Sequence, residues 1–85
     1  MASSHPAIYW VDEDDAGVIT SVGAGVTVKA RAAGSGSDAA ESPFTTDSDG
    51  KTASGSFASI SVGTRVHFRI ENLSGKATSV TIVTT

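Results

Sequence analysis

The chain has 85 residues, a length that fits one domain. It contains no cysteine, so disulfides are excluded, and only 18% of its residues are charged. Six Lys and Arg against nine Asp and Glu give a formal net charge of −3, which argues against a nucleic-acid partner because phosphate binding needs a surplus of cations.

The first ten residues, MASSHPAIYW, contain no Lys or Arg and no long apolar run. They do not resemble a secretory signal, and no segment approaches the ~20 apolar residues of a transmembrane helix. We expect a complete gene product that is made in the cytosol and does not bind membranes. Residues 1–12 are expected to form an N-terminal arm leading into the first strand, and residues 13–85 a single β-sandwich domain.

Alternation of apolar and polar residues predicts three clear strands. In residues 26–32, Val and Ala alternate with Thr, Lys and Arg, and in residues 65–71 Val, Phe and Ile alternate with Arg, His and Glu. Residues 79–83 show the same period of two, which places one face of each strand against a core. Shorter strands are predicted over residues 7–11, 17–22, 42–45 and 56–61.

Turn-forming residues separate these segments, including the glycine-rich residues 23–25, the D-S-D-G sequence at residues 47–50 and a turn at residues 72–76. Residues 38–41 could form one helical turn. Short strands with this spacing predict an all-β fold, namely a small antiparallel β-sandwich or partly open barrel of about six to seven strands. The predicted core is Val18, Val26, Val28, Ala30, Phe44, Phe57, Ile60, Val66, Phe68, Ile70, Val80 and Ile82.

Four of the nine acids lie together in residues 12–15. This run could bind calcium, contact a basic partner, or form a solvated loop between two strands, and adjacent like charges indicate a nearby counter-charge. The D-S-D-G sequence contains half of a calcium-binding loop but lacks the other ligands of that loop, so a turn is favoured. The sequence predicts no metal and no cofactor.

The sequence does not predict an enzyme. Its two histidines, His5 and His67, are far apart in the chain, and no G-x-S-x-G sequence marks a nucleophilic serine. The glycine-rich segments lack the features of phosphate-binding loops. Both histidines are expected to be structural or solvent-facing.

Two features indicate binding surfaces. Tyr9 and Trp10 are the only Tyr and Trp of the chain, and they are either an interface anchor or, for Trp10, a plug at one end of the sandwich. Despite the negative net charge, Lys29, Arg31, Arg65 and Arg69 could form a local basic stripe.

The segment SPFTTDSDGK at residues 42–51, followed by SVGTRVHFRIEN at residues 61–72, resembles small β-sandwich modules of the transthyretin-like or carboxypeptidase-regulatory-like kind. In these modules a strand leads into a T-D-x-x-G turn and then into further strands. Similar modules are common in virion proteins of tailed bacteriophages. As a short, cysteine-free chain rich in Ser, Thr and Ala, the protein is similar to capsid decoration (cement) proteins.

This resemblance implies a virion protein on the capsid exterior, bound to the major capsid protein as a homotrimer or other homo-oligomer. It would stabilise the shell by bridging neighbouring capsid subunits. The alternative is a carbohydrate- or host-surface-binding module of a phage tail or head fibre. The residues expected to bind the partner are Tyr9, Trp10, Asp12, Glu13, Arg65 and Arg69.

Overall fold

The computed structural model describes residues 2–70 and 79–85, and the predicted turn at residues 72–76 lies outside this part of the chain. The described residues are all-β and antiparallel, which confirms the predicted fold class of a small sandwich, and no barrel closes among them. Among them, no helix is long and apolar enough to cross a membrane. Their strands are β1 Ser3–His5, β2 Ile8–Tyr9, β3 Val11–Glu13, β4 Ile19–Ser21, β5 Thr27–Ala32, β6 Phe44–Thr45, β7 Lys51–Thr52, β8 Gly55–Phe57, β9 Arg65–Ile70 and β10 Ser79–Val83.

The three clear strands predicted from alternation are β5, β9 and β10, and with β6 they form a four-stranded sheet with the order β10-β9-β5-β6. Ala30 of β5 and Val80 of β10 both lie opposite Phe68 of β9, so these apolar side chains share the inner face of the sheet. The intervening residues share the outer face, as the period of two requires. The apolar faces predicted from alternation are thus the faces that the sheet turns inward.

The second layer is built around the N-terminal segment, which is not the separate arm expected for residues 1–12. From Ser3 onwards this segment forms β1, β2 and β3, which pair with β8, β7 and β4 respectively. Ser4 also exchanges two backbone hydrogen bonds with Thr85, at 2.7 and 3.1 Å. The segment is therefore part of the sandwich, and its division into short strands raises the strand number above the expected six or seven.

The core lies between the two layers and contains Trp10, which is 1% exposed. The Trp10 indole N–H donates a hydrogen bond to Thr52 Oγ1 over 3.1 Å, so its one polar group is satisfied inside the core. The prediction that Val18 lies in the core is wrong, because Val18 is 55% exposed. The other predicted core residues are buried or packed against the core.

His5 is also buried, and its ring lies among three phenylalanine rings. The ring centroids of Phe44, Phe57 and Phe68 are 5.5, 4.6 and 5.8 Å from that of His5. These contacts give His5 a structural role, as the sequence suggested.

Two turns, one within the β3–β4 hairpin and one between β6 and β7, have the same sequence pattern, Asp-x-x-Gly, and the same hydrogen bonds. In the first, Asp14 Oδ1 accepts the N–H groups of Ala16 and Val18, each over 2.9 Å. In the second, which sequence analysis identified, Asp47 Oδ1 accepts the N–H groups of Asp49 and Lys51 over 2.9 and 3.1 Å. These backbone hydrogen bonds hold the pKa of Asp47 below its ordinary value.

The fourth residue of each turn is a glycine with positive φ, 82° at Gly17 and 71° at Gly50, where other residues are strained. Residues 38–41 do not form the helical turn considered above. They lie in a hydrogen-bonded turn in which the N–H of Ser42 donates to the carbonyl of Ala39 over 3.0 Å.

We expect Trp10→Ala to lower the free energy of unfolding by about 3–5 kcal/mol, because it empties a large core site. The adjacent Tyr9→Ala is the matched control, since the Tyr9 side chain is 65% exposed, and should change it by no more than about 0.5 kcal/mol. Urea denaturation followed by circular dichroism measures both. Similar losses for the two variants would contradict the placement of Trp10 in the core.

The two turn glycines offer a second matched pair. Gly17→Ala should cost roughly 1–2 kcal/mol for the left-handed backbone alone, because its added methyl group meets only Glu13 Oε2 at 3.6 Å. Gly50→Ala should cost more, because a Cβ there would overlap Ser21 Oγ and lie 3.2 Å from the Trp10 carbonyl. Thermal denaturation of both variants tests this order, and equal costs would contradict it.

Candidate binding surfaces

The predicted basic stripe exists on the outer face of the four-stranded sheet. Lys29 and Arg31 of β5 share this face with Arg65 and Arg69 of β9, so it holds four of the six Lys and Arg of the chain. Lys29 lies directly opposite Arg69. Cations in such positions repel each other, so the arrangement needs a counter-charge.

Asp38 supplies that counter-charge from the loop that follows β5. Its Oδ1 accepts hydrogen bonds from Arg69 Nη2 over 3.0 Å and from Arg31 Nη2 over 3.2 Å, and its Oδ2 is 4.0 Å from Lys29 Nζ. The loop is fixed beside β5 because the N–H of Ala39 donates to the carbonyl of Ala30 over 2.7 Å. The hydrogen bond from Arg69, together with the charges of Arg69 and Arg31, lowers the pKa of Asp38.

A groove of about 360 Å³ opens on this face, and we refer to it as the cationic groove. Arg31 Nε is buried there without a hydrogen-bond partner, and Arg65 forms no ion pair within residues 2–70 and 79–85. His67 Nδ1 is 3.1 Å from Thr81 Oγ1 at the groove wall. The groove is lined by Arg31, Ala32, Ala33, Gly34, Ser35, Arg65, His67, Arg69 and Thr81.

Three guanidinium groups lie in the cationic groove, with Asp38 as the carboxylate that pairs with them in the part of the chain that the structure describes, and such a groove suits an anionic group. Arginine side chains bind carboxylates through two parallel N–H···O hydrogen bonds, which add orientation to charge attraction. The side chain of Arg65 is the guanidinium of the groove that forms no ion pair with a described residue, so it is the one placed to bind such a group.

The second surface is the hairpin of β3 and β4, residues 11–21, which we refer to as the acidic hairpin. Residues 13–21 are all exposed, so the hairpin extends beyond the core. It contains the whole acidic run of residues 12–15, and it also exposes Val18 and Ile19, at 55% and 60%. The acidic hairpin therefore combines negative charge with apolar side chains near its tip.

The two surfaces lie at opposite ends of β5. The acidic hairpin continues through Val22 to Gly23, whose carbonyl accepts a hydrogen bond from Thr46 Oγ1 next to the start of β5. The cationic groove is built by the turn that follows the end of β5 and by Arg65 at the start of β9. Six residues of strand correspond to about 20 Å. The molecule is thus acidic at one end and basic at the other.

The structure groups the six residues expected to bind a partner into separate places. Arg65 and Arg69 lie in the cationic groove, while Asp12 and Glu13 lie in the acidic hairpin. Tyr9 is exposed, and Lys51 Nζ lies 5.8 Å from the centroid of its ring. Trp10, by contrast, is buried.

The burial of Trp10 corrects the expectation that it contacts a partner, because its indole fills the core instead. The other interpretation, that it plugs the sandwich, agrees with this position. Sequence reasoning also missed Asp38, which no local pattern distinguished from other loop acids.

The acidic run does not form a metal site with other described residues. Within residues 2–70 and 79–85, no three His, Asp or Glu side chains come together as metal ligands. Three of the run's members have structural positions: Asp14 closes the turn of the hairpin, and Asp12 and Glu13 lie in β3 opposite Thr20 and Ile19.

Comparisons with models of protein families, with curated proteins and with solved structures find no match to this chain.

The ion contacts of Asp38 predict a specific pH dependence of stability. Because its pKa is lower in the folded chain than in the unfolded chain, ionised Asp38 stabilises the fold above the unfolded pKa, roughly pH 4. This contribution is lost as the pH falls through the lower, folded-state pKa. We expect Asp38→Asn to lower the free energy of unfolding at neutral pH and to match the wild type in strong acid.

Urea denaturation over this pH range measures the effect. Asp49→Asn is the matched control, because Asp49 is exposed and forms no ion pair with a described residue. A difference between wild type and Asp38→Asn that stays constant with pH would contradict the role assigned to Asp38.

Proposed function

We propose that this chain is a structural protein of a tailed bacteriophage that binds the outer capsid surface and stabilises the shell by bridging neighbouring capsid subunits. The observation that supports it most is the separation of two surfaces of opposite charge at the two ends of β5. A molecule with two distinct surfaces can contact two neighbours at once. The link to bacteriophage virions comes from the resemblance of residues 42–51 and 61–72 to small β-sandwich modules. The link to capsids comes from the similarity of this short, cysteine-free chain, rich in Ser, Thr and Ala, to capsid decoration proteins.

The charges suit such a bridging role. Complementary charges steer a protein to its binding site and fix its orientation there, even where they add little affinity. The acidic hairpin would contact a basic area of one subunit, with Asp12 and Glu13, and the cationic groove an acidic area of the next, with Arg65 and Arg69. Tyr9, which is exposed on the second layer, adds an aromatic contact.

Two contacts made by one molecule reinforce each other. Once the first surface is bound, the second binds at a high effective concentration, so modest contacts give firm attachment. Binding to assembled neighbouring subunits and not to separated ones stabilises the assembled shell by mass action. No chemical step is involved in this mechanism.

The alternative of a carbohydrate-binding module has less support. Tyr9 is the one exposed aromatic ring in the described part of the chain; Trp10, Phe57 and Phe68 are buried and Phe44 is half-buried. We therefore retain the capsid-binding proposal.

The proposal is tested on shells of the phage that encodes the chain, prepared with and without the gene. Shells that lack the protein should release DNA at a lower temperature, and added wild-type protein should restore the release temperature. Arg65→Glu should restore it less well, because it reverses a charge in the cationic groove.

Ser54→Glu is the matched control for this variant. Ser54 is exposed between β7 and β8, outside both surfaces, so its variant should act like the wild type. Equal release temperatures for shells with and without the protein would refute the proposed function.

A further inference from the structure

We propose that the outer edge of β10, which we refer to as the β10 edge, binds an extended, acidic segment of another protein. The segment adds to the four-stranded sheet as an antiparallel strand. Its source would be the capsid subunit that faces the cationic groove, so the identity of the partner rests on the proposed function. The β10 edge itself is a surface that the proposed function does not use.

The backbone polar groups at the end of β10 alternate between the two sides of the strand. Thr84, which follows β10, donates its N–H to the carbonyl of Thr64 over 3.0 Å and accepts the N–H of Gly63 over 2.9 Å, both on the β9 side. Thr85 exchanges its two hydrogen bonds with Ser4 on the opposite side, over 3.1 and 2.7 Å. The direction of the N–H and C=O groups thus reverses from one residue to the next, as the geometry of a strand requires.

This alternation determines which groups of β10 face outward. The N–H and C=O groups of Ser79, Thr81 and Val83 point to the same side as those of Thr85, away from β9. Within residues 2–70 and 79–85, no strand of the sheet pairs with β10 on that side. Strand edges of this kind bind extended segments through backbone hydrogen bonds.

The N-terminal segment begins to cover this side of the sheet and then leaves it. An antiparallel strand that continued past Ser4 would place Pro6 opposite Val83, and proline has no N–H to donate. The chain instead pairs Ile8 with Thr52 of β7, in the second layer. The incoming segment would therefore take the place beside β10 where β1 stops.

The sequence of β10 also suits strand addition. Residues 79–83 contain no charged residue and no proline, which commonly protect sheet edges, and all but Ser79 are β-branched. By contrast, β6, at the other edge of the sheet, is two residues long and follows Pro43 directly. Of the two edges, that of β10 is the longer and the less protected.

The side chains on the outer face indicate an acidic segment. Thr81 lines the cationic groove and has a short side chain, so a glutamate opposite Thr81 would extend over it into the groove. There it would meet Arg65, which is exposed and forms no ion pair with a described residue. Val83 is 55% exposed and lies opposite Arg65, so the segment would place an apolar residue opposite Val83.

The inner face of β10 requires apolar residues at the intervening positions. Val80 and Ile82 are half-buried and pack against the core from the edge of the sheet. Apolar side chains opposite them would cover their exposed parts. Read in the order Val83 to Val80, the segment that fits is therefore apolar, apolar, acidic, apolar.

Hydrogen exchange followed by NMR tests strand addition on the free protein. The probe is the peptide Ser-Val-Val-Glu-Val-Thr-Ser with blocked ends, whose glutamate lies opposite Thr81 when its first valine lies opposite Val83. Without peptide, the outward amides of Thr81 and Val83 should exchange rapidly, and at about 90% saturation their exchange should slow about tenfold. The amides of Val80 and Ile82, which point to β9, should change little.

The charge of the peptide tests the contact with the groove. Replacing its glutamate by glutamine should weaken binding about two- to fivefold, the range expected for a partly exposed ion pair. Arg65→Glu should abolish this preference, and a peptide with lysine at that position should bind Arg65→Glu better than the glutamate peptide does. Ser54→Glu introduces the same charge away from the β10 edge and should keep the preference of the wild type.

Thr81→Pro and Thr81→Ala are a matched pair for the backbone contact. Both lose the hydroxyl that lies 3.1 Å from His67 Nδ1, but only Thr81→Pro loses the N–H that points away from β9. Thr81→Pro should lose peptide binding and should restore the release temperature of shells less well than the wild type. Thr81→Ala should resemble the wild type in both experiments, and circular dichroism establishes that each variant is folded.

Three results would overturn strand addition: amide exchange that peptide does not slow, equal peptide binding by Thr81→Pro and Thr81→Ala, or protection of the outward amides that rises with protein concentration alone. The last result would mean that the edge pairs with a second copy. If Thr81→Pro stabilises shells as well as Thr81→Ala does, strand addition to the capsid fails while the proposed function stands. If the wild type does not stabilise shells, the proposed function fails, and the peptide experiment still decides whether the β10 edge accepts a strand.

Discussion

The structure depends on the register between β5 and β9. Ala30 lies opposite Phe68 and Arg31 lies opposite His67, so the same ladder of hydrogen bonds builds the core on one face and the cationic groove on the other. A shift of β5 by one residue against β9 would exchange the two faces of β5, sending Arg31 into the core and Ala30 into water. Burial of the apolar side chains selects this register, and the same register therefore positions the cationic groove.

Repulsion between cations on the outer face lowers the stability of the sheet, and the fold does not require these cations. A β-sandwich needs only polar residues there, and opposite charges across the strands would stabilise it more than the Lys29 and Arg69 pair does. Asp38 offsets part of this repulsion but is shared among three cations. Features that oppose local stability are expected at functional sites. We therefore assign binding to the cationic groove rather than to the second layer.

Sequence patterns were informative where one physical rule acted alone. Alternation over residues 26–32, 65–71 and 79–83 was enough to place β5, β9 and β10 and to anticipate the basic stripe. The N-terminal segment was harder, because Ser3 to Glu13 lacks a continuous alternation and Pro6 interrupts its backbone donors. Its three short strands exist through pairing with β8, β7 and β4, which are distant in sequence.

Contacts between residues far apart in the sequence also decide where Trp10 and Asp38 lie. The sequence alone therefore could not choose between the two interpretations of Trp10 or identify the role of Asp38. Trp10 packs in the core, where Thr52, forty-two residues further on, accepts its N–H, and Asp38 binds Arg69 across thirty-one residues. The acidic hairpin is the reverse case. Its exposed residues 13–21 add little to the core, so its charge and apolar tip are not explained by folding. In a domain this small, with no disulfides, contacts with other molecules are a principal remaining source of stability, and the hairpin and the groove are the surfaces best placed to provide them.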